Sequence, residues 1–97
     1  MPRKYLRITE VTKICRVDVK FVKRLEQEQV IHSILRRSEK VYPLDQVDRV
    51  RVARLLIEEM GVNFEGAEVA LNMLEQMIAM QRQFNEILRL VDRQIKK

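Results

Sequence analysis

Residues 62–74 read VNFEGAEVALNML, and the rest of the chain is organised around this stretch. Gly61, directly before it, suits the left-handed residue that ends a helix, and Asn63 suits the cap of the next helix. The stretch therefore predicts a boundary between a compact helical region, the head, and a long helix, the stalk. We place the head at residues 1–61 and the stalk at residues 62–97.

Apolar residues recur through the stalk at alternating steps of four and three. This pattern lasts for nearly four heptads, which favours a coiled coil over a simple surface helix. Because so small a head cannot cover this seam, we expect a second copy of the chain to cover it in a homodimer. A polar member of the seam either lies where the pairing frays or fixes its register or antiparallel orientation. The predicted seam consists of Ala70, Leu74, Met77, Gln81, Phe84, Leu88, Val91 and Ile95, with Gln81 as the polar member.

Two short helices joined by a tight turn are predicted at the start of the head. Thr9 is expected to cap a helix from Glu10 to about Arg16, and Asp18 a second helix from Val19 to about Gln29. Lysines and arginines lie on the predicted outer face of these helices, which is typical of a helix-turn-helix. The predicted buried stripe of the first helix is Val11, Ile14 and Cys15, and the basic residues are Lys13, Arg16, Lys20, Lys23 and Arg24.

A polar, basic connection follows at residues 32–42 and contains Arg36, Arg37 and Lys40. It could form a wing of two short extended pieces, although no Gly or Asn marks a turn. Residues 5–8 alternate apolar and basic side chains, which indicates a short strand or an extended arm. A third helix is expected after Pro43, from about residue 44 to residue 60. Its inward positions are predicted to be Leu44, Val47, Val50, Ala53, Ile57 and Met60.

Composition limits the fold class and the kinds of partner. Two Gly and two Pro in 97 residues predict an all-α fold with at most a minimal β wing. Residues 1–40 hold 11 Lys or Arg and 5 acidic residues, a net charge of +6, whereas residues 41–97 hold 8 and 9, a net charge of −1. The basic half could meet nucleic acid or another acidic partner, or be a solvated face. No segment is apolar enough for a signal peptide or a membrane span, so we expect a soluble, cytoplasmic protein.

Residues suited to catalysis are scarce. Cys15 stands alone, which excludes an intrachain disulfide, and it lies in a helical apolar pattern that indicates burial. His32 has no nucleophile near it in the sequence, and most carboxylates fall on predicted helix exteriors. We therefore expect no catalysis, no cofactor, no metal ion and no small-molecule ligand.

The head resembles the winged helix-turn-helix of MerR-type regulators over residues 5 to about 77. ITEVTKICRVDVKFVKRLEQEQVI is similar to that family's first two helices, and VYPLDQVDRVRVARLLIEEMGVNFEGAEVALNML to its wing exit and the next two helices. The resemblance implies a MerR-like head followed by a long coiled-coil helix. If the protein binds DNA, residues of the second helix would lie at the major groove and wing residues on flanking phosphates. The first group is Lys20, Lys23 and Arg24, and the second Arg36, Arg37 and Lys40, with Lys13 or Arg16 assisting.

Several positions depart from the DNA-binding pattern of that family. Lys23, Arg24 and Leu25 stand where an Arg and an aromatic pair are usual, and Gln29 stands where a Gly precedes the wing. The wing reads RRSEKVY instead of a Gly-rich sequence. We also assign no Asn or Gln to the outer face of the second helix, so adenine readout is not expected. The DNA-contact signature is therefore eroded, although the scaffold remains.

A narrower resemblance is to the chaperone-modulator (CbpM-like) family, a branch of the MerR-like proteins. It is carried by VNFEGAEVALNML, by the length of the chain, by the missing effector domain and by the degenerate wing. The resemblance implies a protein that binds and inhibits the J-domain of a DnaJ-type, curved-DNA-binding co-chaperone. Alternatives are a MerR-like transcriptional regulator and a structural dimerisation module. The implied partner surface is acidic and consists of Glu58, Glu59, Glu65 and Glu68, with Phe64 or Leu55 as an apolar anchor.

Overall fold

The computed structural model of the protein describes residues 3–96, which form four α-helices, a π-helical segment and a small sheet. Met1, Pro2 and Lys97, which belong to the predicted head and stalk, lie outside the described residues. The predicted fold, a winged helix-turn-helix followed by a long helix, is confirmed. In chain order the elements are β1 (Tyr5–Leu6), α1 (Ile8–Cys15), α2 (Val19–Gln27), β2 (Ile34–Arg36), β3 (Glu39–Pro43), α3 (Leu44–Arg54), the π-helical segment (Leu55–Glu59) and α4 (Phe64–Ile95).

Helix α1 begins earlier than predicted, so the assignment of Thr9 as its cap is wrong. The backbone N–H of Arg7 donates to the Glu10 carboxylate (3.0 Å), and the Arg3 guanidinium pairs with the same carboxylate. This contact fixes the first turn from the acidic side chain, so no hydroxyl at residue 9 is needed. Ile14 was also predicted to be buried, but it is 46% exposed, because so short a helix packs along one edge, that of Val11 and Cys15.

Helix α2 agrees more closely with the sequence. The Asp18 carboxylate accepts a hydrogen bond from the backbone N–H of Phe21 (2.8 Å), which confirms the predicted cap. Val22 and Leu25 are fully buried. The helix ends at Gln27, two residues before the predicted end, because Gln29 takes a left-handed conformation (φ 64°).

The wing is a β-hairpin. Strands β2 and β3 pair antiparallel with Ile34 opposite Val41, and β1 pairs with the other edge of β3. Arg37 and Ser38 form the two-residue tip with φ of 52° and 64°, the positive values that a type I′ turn requires. The predicted wing and the predicted N-terminal strand are therefore both present, and the turn forms without Gly or Asn.

Helix α3 begins after Pro43, as predicted, but it passes into a π-helical segment. Within that segment the N–H of Met60 donates to the carbonyl of Leu55 (3.1 Å), a spacing of five residues. One extra residue in a turn rotates the following side chains relative to an α-helix. Met60 is exposed for this reason, and Leu44 is exposed in the first turn, so both predictions of burial were wrong. The segment is followed by Gly61 in the left-handed conformation (φ 73°), as predicted.

A single apolar core joins these elements. Tyr42 of β3 and Leu25 of α2 are among its largest fully buried side chains. Ala67 and Leu71, in the first turns of α4, are buried as well, so the core includes residues on both sides of the proposed boundary after residue 61. Every residue from 72 to 96 is exposed, and the described chain measures 56 × 36 × 19 Å.

Over residues 3–96, none of the helices combines the length and the apolar character that crossing a membrane requires.

Candidate functional site

A basic face lies on the helix-turn-helix and the wing. Lys20, Lys23 and Arg24 point outward from α2, since the opposite face buries Val22 and Leu25. The structure exposes all eight basic residues that the sequence suggested for DNA contact: Lys13, Arg16, Lys20, Lys23, Arg24, Arg36, Arg37 and Lys40.

Three of these eight basic side chains are held by other residues of the chain. Arg24 pairs with Glu28 (3.2 Å) and lies 4.6 Å from the ring centroid of Phe64. Lys40 pairs with Glu26 (2.9 Å). Arg36 stacks over the ring of Tyr5 at 4.5 Å from its centroid. Such contacts are individually weak at an exposed site, but they orient the guanidinium and ammonium groups toward the protein.

Gln27 corrects the expectation that no amide lies on the outer face of α2. It is exposed, and it stands four residues after Lys23 and seven after Lys20, which places it on the same face of the helix. A Gln in this position can pair with adenine in a major groove. The sequence already contained this signal in the spacing of residues 20, 23 and 27.

A carboxylate at the root of the wing was not singled out from the sequence. Glu26 accepts hydrogen bonds from the hydroxyls of Tyr42 and Ser33 and an ion pair from Lys40, each at 2.9 Å. Burial by itself would raise the pKa of Glu26, but these three donors outweigh it and lower the pKa below its usual value. Burial and the same carboxylate raise the pKa of Tyr42. The cluster fixes the wing to α2.

The predicted acidic surface lies around the turn between the π-helical segment and α4. We call it the acidic junction and define it as Glu58, Glu59, Glu65 and Glu68. Glu68 is half-buried and the other three are exposed, and Glu58 pairs with Arg54 (3.2 Å). Within residues 3–96, no ion pair involves Glu59, Glu65 or Glu68.

The turn of the acidic junction has a fixed geometry. The Asn63 side chain accepts a hydrogen bond from the N–H of Gly66 (2.7 Å), which confirms the predicted cap of α4. A Cβ atom at Gly66 would lie 2.9 Å from Cγ1 of Val62 and 3.0 Å from Oδ1 of Asn63. Any larger residue would therefore disturb the cap, which explains the glycine within VNFEGAEVALNML.

Phe64 and Leu55, the two suggested anchors, differ in accessibility. The ring of Phe64 is half-buried against Phe21 of α2, with centroids 5.9 Å apart, and it also carries Arg24. Leu55 is 47% exposed. Phe64 thus connects α4 to the outer helix of the helix-turn-helix, and Leu55 is the more accessible of the two side chains.

Arg49 is a buried charge that the sequence did not indicate as important. It is only 8% exposed, and its guanidinium donates to the carbonyl of Val30 (2.8 Å), to Asn72 (3.2 Å) and to Glu75. These contacts satisfy the charge and connect the segment after α2 with α3 and α4. The signal for its burial was its position between Gln46 and Ala53 on the inner face of α3.

The predicted dimer seam lies along one side of α4. Ala70 is half-buried beside Val52 and Leu56 of the preceding helical elements, and the other seven seam residues are exposed. One continuous helix from Phe64 to Ile95 carries all eight. The described chain therefore contains the predicted seam, but no other part of residues 3–96 buries its seven exposed members.

The side chains of residues 3–96 offer little basis for metal binding or for thiol chemistry. Within residues 3–96, His, Cys, Asp and Glu side chains form no group of three that could hold a metal ion. Cys15 is buried, and its thiol lies 3.7 Å from the carbonyl oxygen of Val47. Burial raises the pKa of this thiol, which disfavours the reactive thiolate.

Of the comparisons with known proteins, the comparison with protein families gave a match, and it extends over most of the chain. Neither the curated proteins nor the solved structures contain a match to this chain. The model of the family described as MerR HTH family regulatory protein (MerR_2) matches residues 6–89, which is most of the chain. The match includes the helix-turn-helix, the wing and all but the end of α4. The MerR-type resemblance is thereby confirmed, and the chain belongs to the MerR HTH family of regulatory proteins.

Proposed function

We propose that this protein is a chaperone modulator that binds and inhibits the J-domain of a DnaJ-type, curved-DNA-binding co-chaperone. The support is VNFEGAEVALNML together with the acidic junction around it. Glu59, Glu65 and Glu68 have no ion-pair partner within residues 3–96, so their carboxylates are free to meet lysines and arginines of another protein. This free negative charge, around the turn that precedes α4 and in the first turns of α4, is the observation that carries the proposal.

Charge complementarity would supply the recognition. A J-domain of this kind presents a basic helix, through which it engages its Hsp70-type chaperone. That helix would meet the acidic junction, with Leu55 as the accessible apolar contact and Phe64 supporting the turn from within. The bound helix could no longer reach the chaperone, so inhibition would follow from occlusion and would need no chemical step. Regulatory proteins of the MerR type are typically non-enzymatic, in agreement with this mode of action.

The basic face favours a protein partner over specific DNA readout. Arg24, Arg36 and Lys40 are engaged within the chain, and the acidic side chains of Glu26, Glu28 and Glu39 stand among them. Carboxylates beside a DNA phosphate are repulsive, which reduces the gain from the neighbouring lysines.

Titration of the full-length protein with a purified J-domain tests the proposal. We expect micromolar or tighter binding that weakens with salt. Reversal of the acidic junction by Glu58→Lys, Glu59→Lys, Glu65→Lys and Glu68→Lys should abolish it. The control for added positive charge is Asp45→Lys with Asp48→Lys, which reverses two exposed charges on α3 and should leave binding within a few-fold. Absence of J-domain binding by the unaltered protein would overturn the proposal.

DNA binding is the second candidate function, and the exposed side chains of Lys20, Lys23 and Gln27 on one face of α2 favour it. A winged helix-turn-helix places this face in a major groove and the wing on phosphates. Duplex binding should then depend strongly on salt, and Lys20→Gln with Lys23→Gln should reduce the slope of log K against log salt by about 2. Sequence-selective DNA binding without J-domain binding would establish this function instead.

We also propose that the protein acts as a homodimer through the seam on α4. Seven of the eight seam residues are exposed in the single chain, and apolar residues in a heptad pattern normally pair with another helix. Each dimer would carry two acidic junctions and could hold two J-domains.

A further inference from the structure

Helix α4 carries a second apolar stripe beside the predicted seam, and we propose that this stripe docks a basic amphipathic helix of the partner protein. The proposal rests on the proposed function, because it names the surface that extends the acidic junction along α4. The stripe consists of Val69, Met73, Met80, Ile87 and Leu90, with Gln76, Gln83 and Gln94 at its remaining positions.

The stripe follows the same heptad rule as the seam. Its eight positions step by four and three, and each lies one residue before a member of the seam. Consecutive residues of an α-helix differ by about 100° in direction. The stripe is therefore rotated by that angle from the seam, and pairing of two helices through the seam covers at most its near edge.

The stripe is apolar and open. Its five apolar members are between 49% and 66% exposed. Its polar members are glutamines, so no charge interrupts it, whereas Arg82, Arg89 and Lys96 lie seven residues apart on the opposite side of the helix. A continuous exposed apolar surface of this kind usually marks a binding surface.

Charge determines which occupant fits. Glu65 stands four residues before Val69 and so borders the head-proximal end of the stripe, and Glu58 and Glu59 precede it in the chain. The surface is thus acidic at its head-proximal end, while the stripe itself consists of apolar residues and glutamines. Its complement is a helix with Lys or Arg at one end and apolar residues at helical spacing. Met73 and Met80 suit this role, because flexible thioether side chains adapt to the shape of an incoming helix.

Replacing stripe residues without changing charge tests the proposal on the full-length protein. The double variant Met73→Gln with Met80→Gln should weaken binding of a purified J-domain by at least about tenfold, since apolar anchors dominate such contacts. The matched control is Ile78→Gln, which makes the same kind of apolar-to-Gln change at an exposed position on the opposite side of α4 and should change affinity less than about twofold. Sedimentation of both variants should match that of the unaltered protein.

The outcomes separate this inference from the proposed function. If the unaltered protein binds no J-domain, both this inference and the proposed function are wrong. If it binds and reversal of the acidic junction abolishes binding, but Met73→Gln with Met80→Gln binds normally, the stripe is not the docking surface and the proposed function stands. If the double variant loses its oligomeric state, the stripe belongs to a contact between copies of this chain, which also overturns the inference.

Discussion

The core-forming part of the chain, residues 5–71, and the exposed part of α4, residues 72–96, use similar apolar side chains to opposite effect. Leu25 and Tyr42 of the first part are fully buried by other segments of the chain. Phe84 and Leu88 of the second part stand at equally regular helical spacing and are about half exposed. Periodicity therefore identifies the apolar face of a helix. Whether the chain itself buries that face depends on how many of its other elements pack against it.

The two parts meet at Arg49. Its guanidinium reaches Asn72 and Glu75, the first exposed turn of α4, from a buried position on α3. Farther along α4, within the described residues, ion pairs join side chains three or four residues apart: Arg89 with Glu86 and Lys96 with Asp92. Tertiary support thus fades after Glu75, which is why we expect a second copy of the chain to support the remaining turns.

The largest expected effect on association comes from placing a charge in the seam. Leu88→Asp should convert dimers to monomers and raise the dissociation constant on the order of a hundredfold, because a carboxylate would be buried between two helices. Leu74→Asp should do the same. Sedimentation velocity at tens of micromolar measures the change.

A substitution in the core-forming part provides the contrast. Leu25→Ala should lower the free energy of unfolding by about 2–5 kcal/mol, while the protein still sediments as a dimer. If the unaltered protein is already a monomer at tens of micromolar, the interpretation of α4 as a coiled-coil helix is wrong.

A smaller effect is expected from the polar cluster of the core-forming part. Glu26→Gln should lower the free energy of unfolding by about 1–2 kcal/mol at pH 7, because it weakens charge-assisted hydrogen bonds from Lys40, Tyr42 and Ser33. The folded-state pKa of Glu26 is lowered, so its stabilisation is present above the unfolded-state pKa and is lost as the pH falls through the folded-state pKa. The difference between the two proteins should therefore shrink on acidification below about pH 4.5.

Urea denaturation at several pH values measures this difference. Glu59→Gln is the control, since the Glu59 carboxylate is exposed and makes no ion pair within residues 3–96, and it should change stability little at any pH. A destabilisation by Glu26→Gln that is independent of pH would contradict the role of the charge.

The sequence predicted those features that depend on a single local rule. The caps at Asp18 and Asn63 and the left-handed Gly61 follow from the residue type alone, and the structure confirms all three. The start of α1 could not be predicted in this way, because it depends on Glu10 reaching back to Arg7. The π-helical segment leaves no recognisable pattern in Leu55–Glu59, and its extra residue displaced the predicted packing of Met60.

Helical spacing also predicted the exposure of most charged residues proposed for the candidate site. The basic residues and three of the four carboxylates of the acidic junction are exposed, as helical spacing indicated. Spacing does not reveal which charges are already paired, so the contacts of Arg24 with Phe64 and Lys40 with Glu26 were not foreseen. These contacts join segments that are far apart in the sequence, and only the packing of the wing and α4 against α2 brings them together.

The smallest expected effects come from one chemical change made in both parts of the chain. Gln29 follows α2 with φ of 64°, a conformation that strains any side chain with a Cβ and that glycine adopts freely. Gln29→Gly should therefore raise the free energy of unfolding by about 0.5–1 kcal/mol. Gln83 lies inside α4, where glycine disfavours the helix, so Gln83→Gly should lower helix stability by about 1 kcal/mol. Urea denaturation measures the first change and far-ultraviolet circular dichroism the second. Opposite signs for the same substitution would show that backbone conformation determines the effect, whereas destabilisation at both positions would mean that the side chain of Gln29 makes a compensating contact.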